Sequence, residues 1–329
     1  MRLKKLVASA LIGCLVLGST AQGTQVFAAN KTKVTQTKID KKKQTGKQKN
    51  GKKTEKNKQI VAKRKEALRL KNRVKEAQLN AAKIKSVEAT MKMVMDMNME
   101  YEGEKQSIPM RMTGKITSFQ EPVKAKIDLK TNFMGNTRMQ YYLEEKEGKV
   151  IAYMNLGGEW QSIEIGDENR TAQMNQLNAV ENIDQFLNGI TNLKELGKEK
   201  VDGKTTTKIE GILSKEALKS MLEATSVLNM ENLSDEEQEM MNQMLKNMGN
   251  IKLTFWLTED NQIVQMKEDL TELVSKMIES MSQELGTDGL KTGVSKLELT
   301  ITYHKWNDVE DFTIPEEVYQ AKKLEVPVV

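Results

Sequence analysis

The chain has 329 residues and a formal net charge of +5, with 51 basic and 46 acidic residues, 21 methionines, one histidine and one cysteine. A lone cysteine excludes an internal disulfide and a lone histidine excludes a His-rich zinc centre, so an apolar core must hold the fold. The charge is unevenly spread: residues 30–58 carry a net +10 and residues 59–86 a net +7, whereas residues 87–329 carry −15.

Arg2, Lys4 and Lys5 precede a mostly apolar run, Leu6 to Leu17, too short for a membrane span. Val26-Phe27-Ala28 then fits a signal peptidase site, which predicts a signal peptide over residues 1–28 and export from the cytoplasm. Leu11-Ile12-Gly13-Cys14 also fits a lipobox, which would make Cys14 a lipidated N-terminus. Cys14 lies inside the apolar run, which continues through Leu15-Val16-Leu17, so cleavage after Ala28 is preferred. No later apolar run approaches the ~18 residues that a bilayer span requires.

Residues 29–58 are a low-complexity mixture of Lys, Gln, Thr, Asn and Gly. Such a segment buries too little surface to offset its ordering entropy and is expected to be a disordered tether. It serves either as an electrostatic arm for an anionic cell wall or membrane surface or as a solubilising spacer. A nucleic-acid partner is not expected, because the chain is exported and no aromatics interleave the lysines for base stacking. Residues 59–86 form a basic amphipathic helix, read over Ile60 to Lys85, with Ala67, Leu70, Val74, Ala77, Ala81 and Ile84 at spacings of three and four. Its N-terminal half is expected to project as a continuation of the tether. A short coiled-coil seam is the alternative.

The period then changes from 3.6 to 2. Every second residue from Met91 to Met99 is methionine, which marks a strand with one apolar face. Further strands follow at Ile108 to Phe119, Val123 to Phe133, Arg138 to Glu145, Lys149 to Leu156 and Trp160 to Ile165, separated by Gly- and Pro-containing breaks. Short helices are expected at Asn169 to Leu177 and Val180 to Asn188. A hairpin turned by Asp202-Gly203 joins Glu195 to Val201 with Thr205 to Leu213. Ser214 caps one helix, and Ser234-Asp235-Glu236-Glu237 opens another whose Met240, Met241, Met244, Leu245 and Met248 share a stripe ended by Gly249. Strands return at Ile251 to Leu257 and Ile263 to Leu270, a helix is expected over Ser275 to Glu284, and Leu297 to Tyr303 is the last strand. Ile314-Pro315-Glu316-Glu317-Val318 begins what reads as an exposed tail.

Lys85-Ser86-Val87-Glu88-Ala89, Gly157-Gly158-Glu159-Trp160, Phe255-Trp256-Leu257-Thr258-Glu259-Asp260 and the stretch from Tyr303 to Val318 with Ile314-Pro315-Glu316 occur in this order. With these elements the chain resembles the LolA-like fold of the LppX and LprG lipoproteins, and within it a group of Bacillota secreted proteins. The resemblance runs from about Lys85 to Ala321. It implies an α+β fold: a strongly curved antiparallel sheet, a half-barrel, with helices covering its concave face, here preceded by the long basic helix. The binding domain would span residues 87–321, with a tail over 322–329. Relatives of this fold hold acyl chains between the two layers, and the family carries no catalytic motif.

Little in the residues points to catalysis. His304 alternates with Leu299, Ile301 and Tyr303 and falls on the opposite, solvent-facing side of its strand. A Ser-His-Asp or Cys-His arrangement would need His304 itself. Glu144, Glu145, Glu147, Glu164, Asp167 and Glu168 single out no pair for glycosidase chemistry. Neither a phosphate-binding glycine motif nor a calcium loop is present, and no metal or other cofactor is expected.

The positive signal is methionine, whose unbranched, polarisable side chain suits varied apolar ligands. Met91, Met93, Met95, Met97, Met110, Met112, Met240, Met241, Met244 and Met248 are the candidate lining of a pocket for a lipid or other apolar small molecule. The same residues could instead fill a dry core. The two readings predict a secreted, non-catalytic binding protein of the cell envelope, or an envelope scaffold that docks a protein partner.

Overall fold

The computed structural model describes residues 51–101, 103–132, 135–155, 158–165, 189–224, 246, 249–284 and 290–324. One sheet dominates it. Its strands are β1 (Ser86–Tyr101), β2 (Glu104–Gln120), β3 (Val123–Thr131), β4 (Thr137–Lys146), β5 (Lys149–Asn155), β6 (Trp160–Ile165), β7 (Ile190–Val201), β8 (Lys204–Leu213), β9 (Ile251–Leu257), β10 (Ile263–Asp269), β11 (Leu290–Trp306) and β12 (Lys322–Lys323). They lie in the order β12-β6-β5-β4-β3-β2-β1-β11-β10-β9-β8-β7. Every pair is antiparallel except β12 with β6.

This order is two meanders joined at their first and last strands: β1 to β6 on one side, β7 to β11 on the other. The join β1–β11 pairs two of the longest strands at the centre of an open, strongly curved sheet. Tight turns drive the meanders. Glu147 and Gly148 both have positive φ (54° and 78°), as do Asp202 and Gly203 (49° and 76°), the geometry that matches the twist of two-residue hairpins.

Three helices are described: α1 (Gly51–Ala81), α2 (Lys215–Ala224) and α3 (Thr271–Glu284). The first begins at Gly51, inside the segment expected to be a disordered tether, so Gly51 to Lys58 are helical instead. The physical reason is propensity: Lys, Glu and Gln form helix well without burying anything, and no Pro or further Gly interrupts them. The helix stops at Ala81 rather than Lys85, because β1 already starts at Ser86. Residues 58–69 are exposed all round, Ala67 among them, whereas Leu70, Val74, Ala77 and Ala81 are buried. The N-terminal half therefore projects and the C-terminal half packs. Ser214 caps α2 by accepting a hydrogen bond from the Ala217 amide at 3.2 Å. The third helix starts earlier than its expected Ser275 and is tied to β11, where Ser275 donates to the Val294 carbonyl at 2.7 Å and Thr271 Oγ1 accepts from the Leu297 amide at 2.9 Å. The helices expected at 169–177, at 180–188 and from Ser234 lie outside the described residues.

The C-terminal stretch corrects the expectation of an exposed tail. Ile314 and Val318 are 4% and 0% exposed, Glu316–Gln320 is a short 3-10 helix, and β12 pairs with β6. Phe312, Ile314 and Val318 pack on Tyr142, Tyr153 and Trp160 in a cluster separate from the main core. Lys124 anchors the approach with hydrogen bonds to Asp311 Oδ1 at 2.7 Å and to the Phe312 carbonyl. The segment is a strap across β4 to β6.

Candidate functional site

Side chains of directly paired residues share a face of a sheet. On the two sides of β1, Met93 stands opposite Met112 and Leu299, Met95 opposite Met110 and Leu297, and Met97 opposite Ile108 and Val294. Met91 faces Ile301 on one side and Gly114 on the other. A side chain at Gly114 would come within 2.5 Å of Leu129 Cδ2 and 3.5 Å of Met91 Cε, so the glycine makes room for both. The result is a continuous apolar patch at the centre of the sheet.

Met91, Met93, Met95, Met97, Met110 and Met112 are only 2–8% exposed and belong to one core cluster. Leu70, Val74 and Ala77 of α1, Leu273 and Val274 of α3, and Phe255 and Ile209 of the other meander complete that cluster. The thioether stripe faces inward. Met240, Met241, Met244 and Met248, the other part of the expected lining, lie outside the described residues, as does Cys14.

Two polar groups sit in this apolar layer, and neither was among the expected site residues. Glu268 pairs with Leu253 on one side and Leu299 on the other, and so continues the row of Met93 and Met112. It is 5% exposed, and its Oε2 has no hydrogen-bond partner. Burial pushes its carboxyl up to about 7, since the low-dielectric interior disfavours the charged form. Tyr303, two residues beyond Ile301, is 4% exposed and also has an unpartnered hydroxyl. Burial, and then the Glu268 carboxylate, raise its phenol above the usual range. Tyr303 also lines a recess with Ala81 and Ile84 at the end of α1, Val87 of β1 and Ser118 of β2. The sequence signal for Glu268 was its phase: Met266, Glu268 and Leu270 alternate, placing a carboxyl where an apolar residue belongs.

His304 lies on the face opposite the buried row of Leu299, Ile301 and Tyr303, as expected, and is half-buried there. Its side chain is 29% exposed, Nε2 lies 3.0 Å from Thr90 Oγ1, and Nδ1 lies 3.1 Å from Asp202 Oδ2. The Thr-His-Asp order imitates a nucleophile relay. Thr90, however, lies in β1 with β2 and β11 paired on its two sides, so the backbone around it is committed to ladders and not free to hold an oxyanion. The arrangement pins the β7–β8 hairpin tip to β11, beside the stacking of Lys204 on the Trp306 ring at 3.7 Å. Of the acidic residues noted in the sequence, Glu144 accepts hydrogen bonds from the Tyr153 and Tyr319 hydroxyls and Glu164 pairs with Lys149 and Lys323. Among the described residues no cluster of His, Cys, Asp or Glu could hold a metal ion.

Residues 69–323 match a protein family described as one of unknown function. The match begins where α1 turns from exposed to buried. LppX of Mycobacterium bovis, named for phthiocerol dimycocerosate transport, is 28% identical over 120 residues, which cover 35% of this chain and 50% of LppX. LppX of Mycobacterium tuberculosis gives the same figures. The chain thus spans half the length of the curated relatives it matches. The crystal structure of Mycobacterium tuberculosis lipoprotein LppX is similar with a TM-score of 0.41 and 15% identity, covering 74% of this chain and 97% of that one. That of LprF from Mycobacterium bovis is similar with a TM-score of 0.40 and 13% identity, covering 76% and 97%. The resemblance to LppX expected from the sequence is found in the match to the LppX sequences.

Proposed function

The chain belongs to that family, DUF6612, and from this premise we propose that it is a non-catalytic binding protein of the cell envelope that holds a lipid or other apolar ligand between its sheet and its helices. The observation that carries this reading is the pair of methionine rows on β1 and β2, buried on a single face. Unbranched thioethers repack around flexible chains at little cost in strain. Burial of each such side chain contributes roughly 1.5–3 kcal/mol, so an acyl chain entering this layer must replace the contacts it displaces. The name of the LppX relative agrees with lipid transport.

The remaining parts of the reading follow from position. Export, by cleavage after Ala28 or lipidation at Cys14, would place the domain outside the cytoplasm. The exposed basic half of α1 would then hold it against an anionic wall or membrane surface. No described helix is long and apolar enough to cross a membrane.

Native mass spectrometry and solvent extraction of the purified full chain test the proposal. Co-purifying acyl-chain species, and saturable binding of a fluorescent fatty acid, are the expected results. Recovery of no lipid together with no probe binding would overturn it and leave a dry methionine core in an envelope scaffold that docks a protein partner. In that scaffold the strap would not serve as a free docking tail, because Ile314 and Val318 are already buried.

A further inference from the structure

Among the described residues five large apolar side chains are exposed, and three of them lie on the projecting half of α1: Ile60, Val61 and Leu68, at 48%, 52% and 60%. A single exposed apolar residue is ordinary on a protein surface, but three on one short stretch of helix are a patch. A helix turns about 100° per residue, so Val61 and Leu68 fall within about 20° of one another and share a face. Leu70 and Val74, which pack into the core, lie about 160° and 120° away from Leu68. The helix therefore carries a second apolar face, turned away from the sheet, with Ile60 at its margin.

Charge is arranged around that face. Arg64 and Lys71 flank Leu68 on one side, and Lys65 and Lys58 on the other, all within about 80° of it. Glu66, the one acidic residue of residues 58–69, lies about 160° away on the far side. There it accepts a hydrogen bond from Arg69 Nε at 2.9 Å, and Arg69 also pairs with Glu195 of β7. Positive charge thus surrounds the apolar face and the negative charge is turned from it.

Two anionic surfaces suit such a helix, the wall polymer and the lipid bilayer. Both satisfy Arg64 and Lys65. Only the bilayer has an apolar interior that takes Ile60, Val61 and Leu68 out of water, whereas a hydrated polyphosphate chain leaves them in it. The apolar stems of Lys and Arg let their cations reach the phosphates while neighbouring side chains sink below them. An apolar stripe flanked by basic residues is the pattern of helices that lie in the plane of a membrane surface.

We propose that the projecting half of α1 is an interfacial helix that lies on an anionic bilayer. Ile60, Val61 and Leu68 insert at the acyl boundary, and Lys58, Arg64 and Lys65 stand at the level of the phosphates. The inference rests on the surface-retention part of the proposed function and adds to it the kind of surface, membrane rather than wall.

The test uses the full chain with vesicles of phosphatidylglycerol and phosphatidylcholine, and with soluble polyphosphate as a polyanion that lacks an apolar interior. One variant carries Ile60→Gln, Val61→Gln and Leu68→Gln together. Gln forms helix well and the three positions are exposed, so circular dichroism and a thermal melt should match the wild type. The substitutions are expected to weaken vesicle binding on the order of tenfold. Salt lowers the affinity of both proteins by screening the cations, but it leaves the ratio between them unchanged, because apolar insertion is not screened. Polyphosphate binding, which draws on charge alone, is expected to be equal for the two. Equal vesicle binding overturns the insertion while leaving electrostatic retention in place. A variant that loses polyphosphate binding in the same proportion also overturns it, since charge and not apolar contact has then been disturbed. Wild-type binding to polyphosphate but not to vesicles assigns the helix to the wall and overturns the inference. Binding to neither overturns the retention reading as well.

Discussion

Glu268 shows how much one side chain can reveal about a layer of apolar ones. In the unfolded chain its carboxyl titrates near the ordinary value of 4.5, and in the fold burial brings it to about 7. The folded state therefore holds this proton more tightly. That contribution to stability is complete below about 4.5 and is lost as pH rises through about 7. Glu268→Gln should stabilise the protein at pH 8 by at most roughly 3 kcal/mol and have little effect at pH 4. Urea unfolding of both proteins at the two pH values measures this. Parallel pH profiles for variant and wild type would contradict it. Glu268 was hard to see in the sequence because a charged residue in a strand is assigned to the solvent side by default. Only its phase with Met266 and Leu270 marks it. The inward methionines, by contrast, were plain, because alternation over the whole of Met91 to Met99 admits one face alone.

At the scale of elements, the strands and their turns were legible for local reasons. Period-two alternation and the positive-φ pairs at Glu147-Gly148 and Asp202-Gly203 are written into neighbouring residues. The strap was not, since Phe312, Ile314 and Val318 become core only by meeting Tyr142 and Tyr153, far away in the chain. The onset of α1 was missed for a different reason. A low-complexity lysine segment cannot fold by burial, yet its residues favour helix on their own once a packed C-terminal half supplies the nucleus. Residues 58–69, exposed and carrying Lys58, Lys63, Arg64, Lys65 and Arg69, form a basic rod that projects from the packed half of α1. The full chain should therefore bind vesicles containing anionic phosphatidylglycerol at low salt and release them as ionic strength rises. Replacing Lys63, Arg64 and Lys65 by Gln should weaken that binding by roughly a hundredfold, at roughly 1 kcal/mol per charge near the surface. Sedimentation with vesicles reads the outcome, and binding that ignores both salt and the substitutions would rule out an electrostatic role for the rod.

On the scale of the whole molecule, two antiparallel meanders meet at β1–β11, and this join places the methionine strand at the centre of the sheet rather than at an edge. An edge position would leave the thioethers beside unpaired backbone. The centre gives them apolar neighbours on both sides, Met112 and Met110 on β2 and Leu299 and Leu297 on β11. The charge division supports the same plan, with a basic N-terminal region ahead of an acidic domain. Such a molecule can stay at an anionic surface while its binding layer remains apart from it. The central claim is that a ligand lies along the methionine rows. Methyl-labelled methionine NMR of the full chain, titrated with monooleoylglycerol, tests it most directly. The account predicts shifts in the methyl resonances of Met91, Met93, Met95, Met97, Met110 and Met112, each assigned by substitution to Leu. Unchanged resonances at all six under saturating lipid, or shifts confined to Met139 and Met154 on β4 and β5, would contradict it.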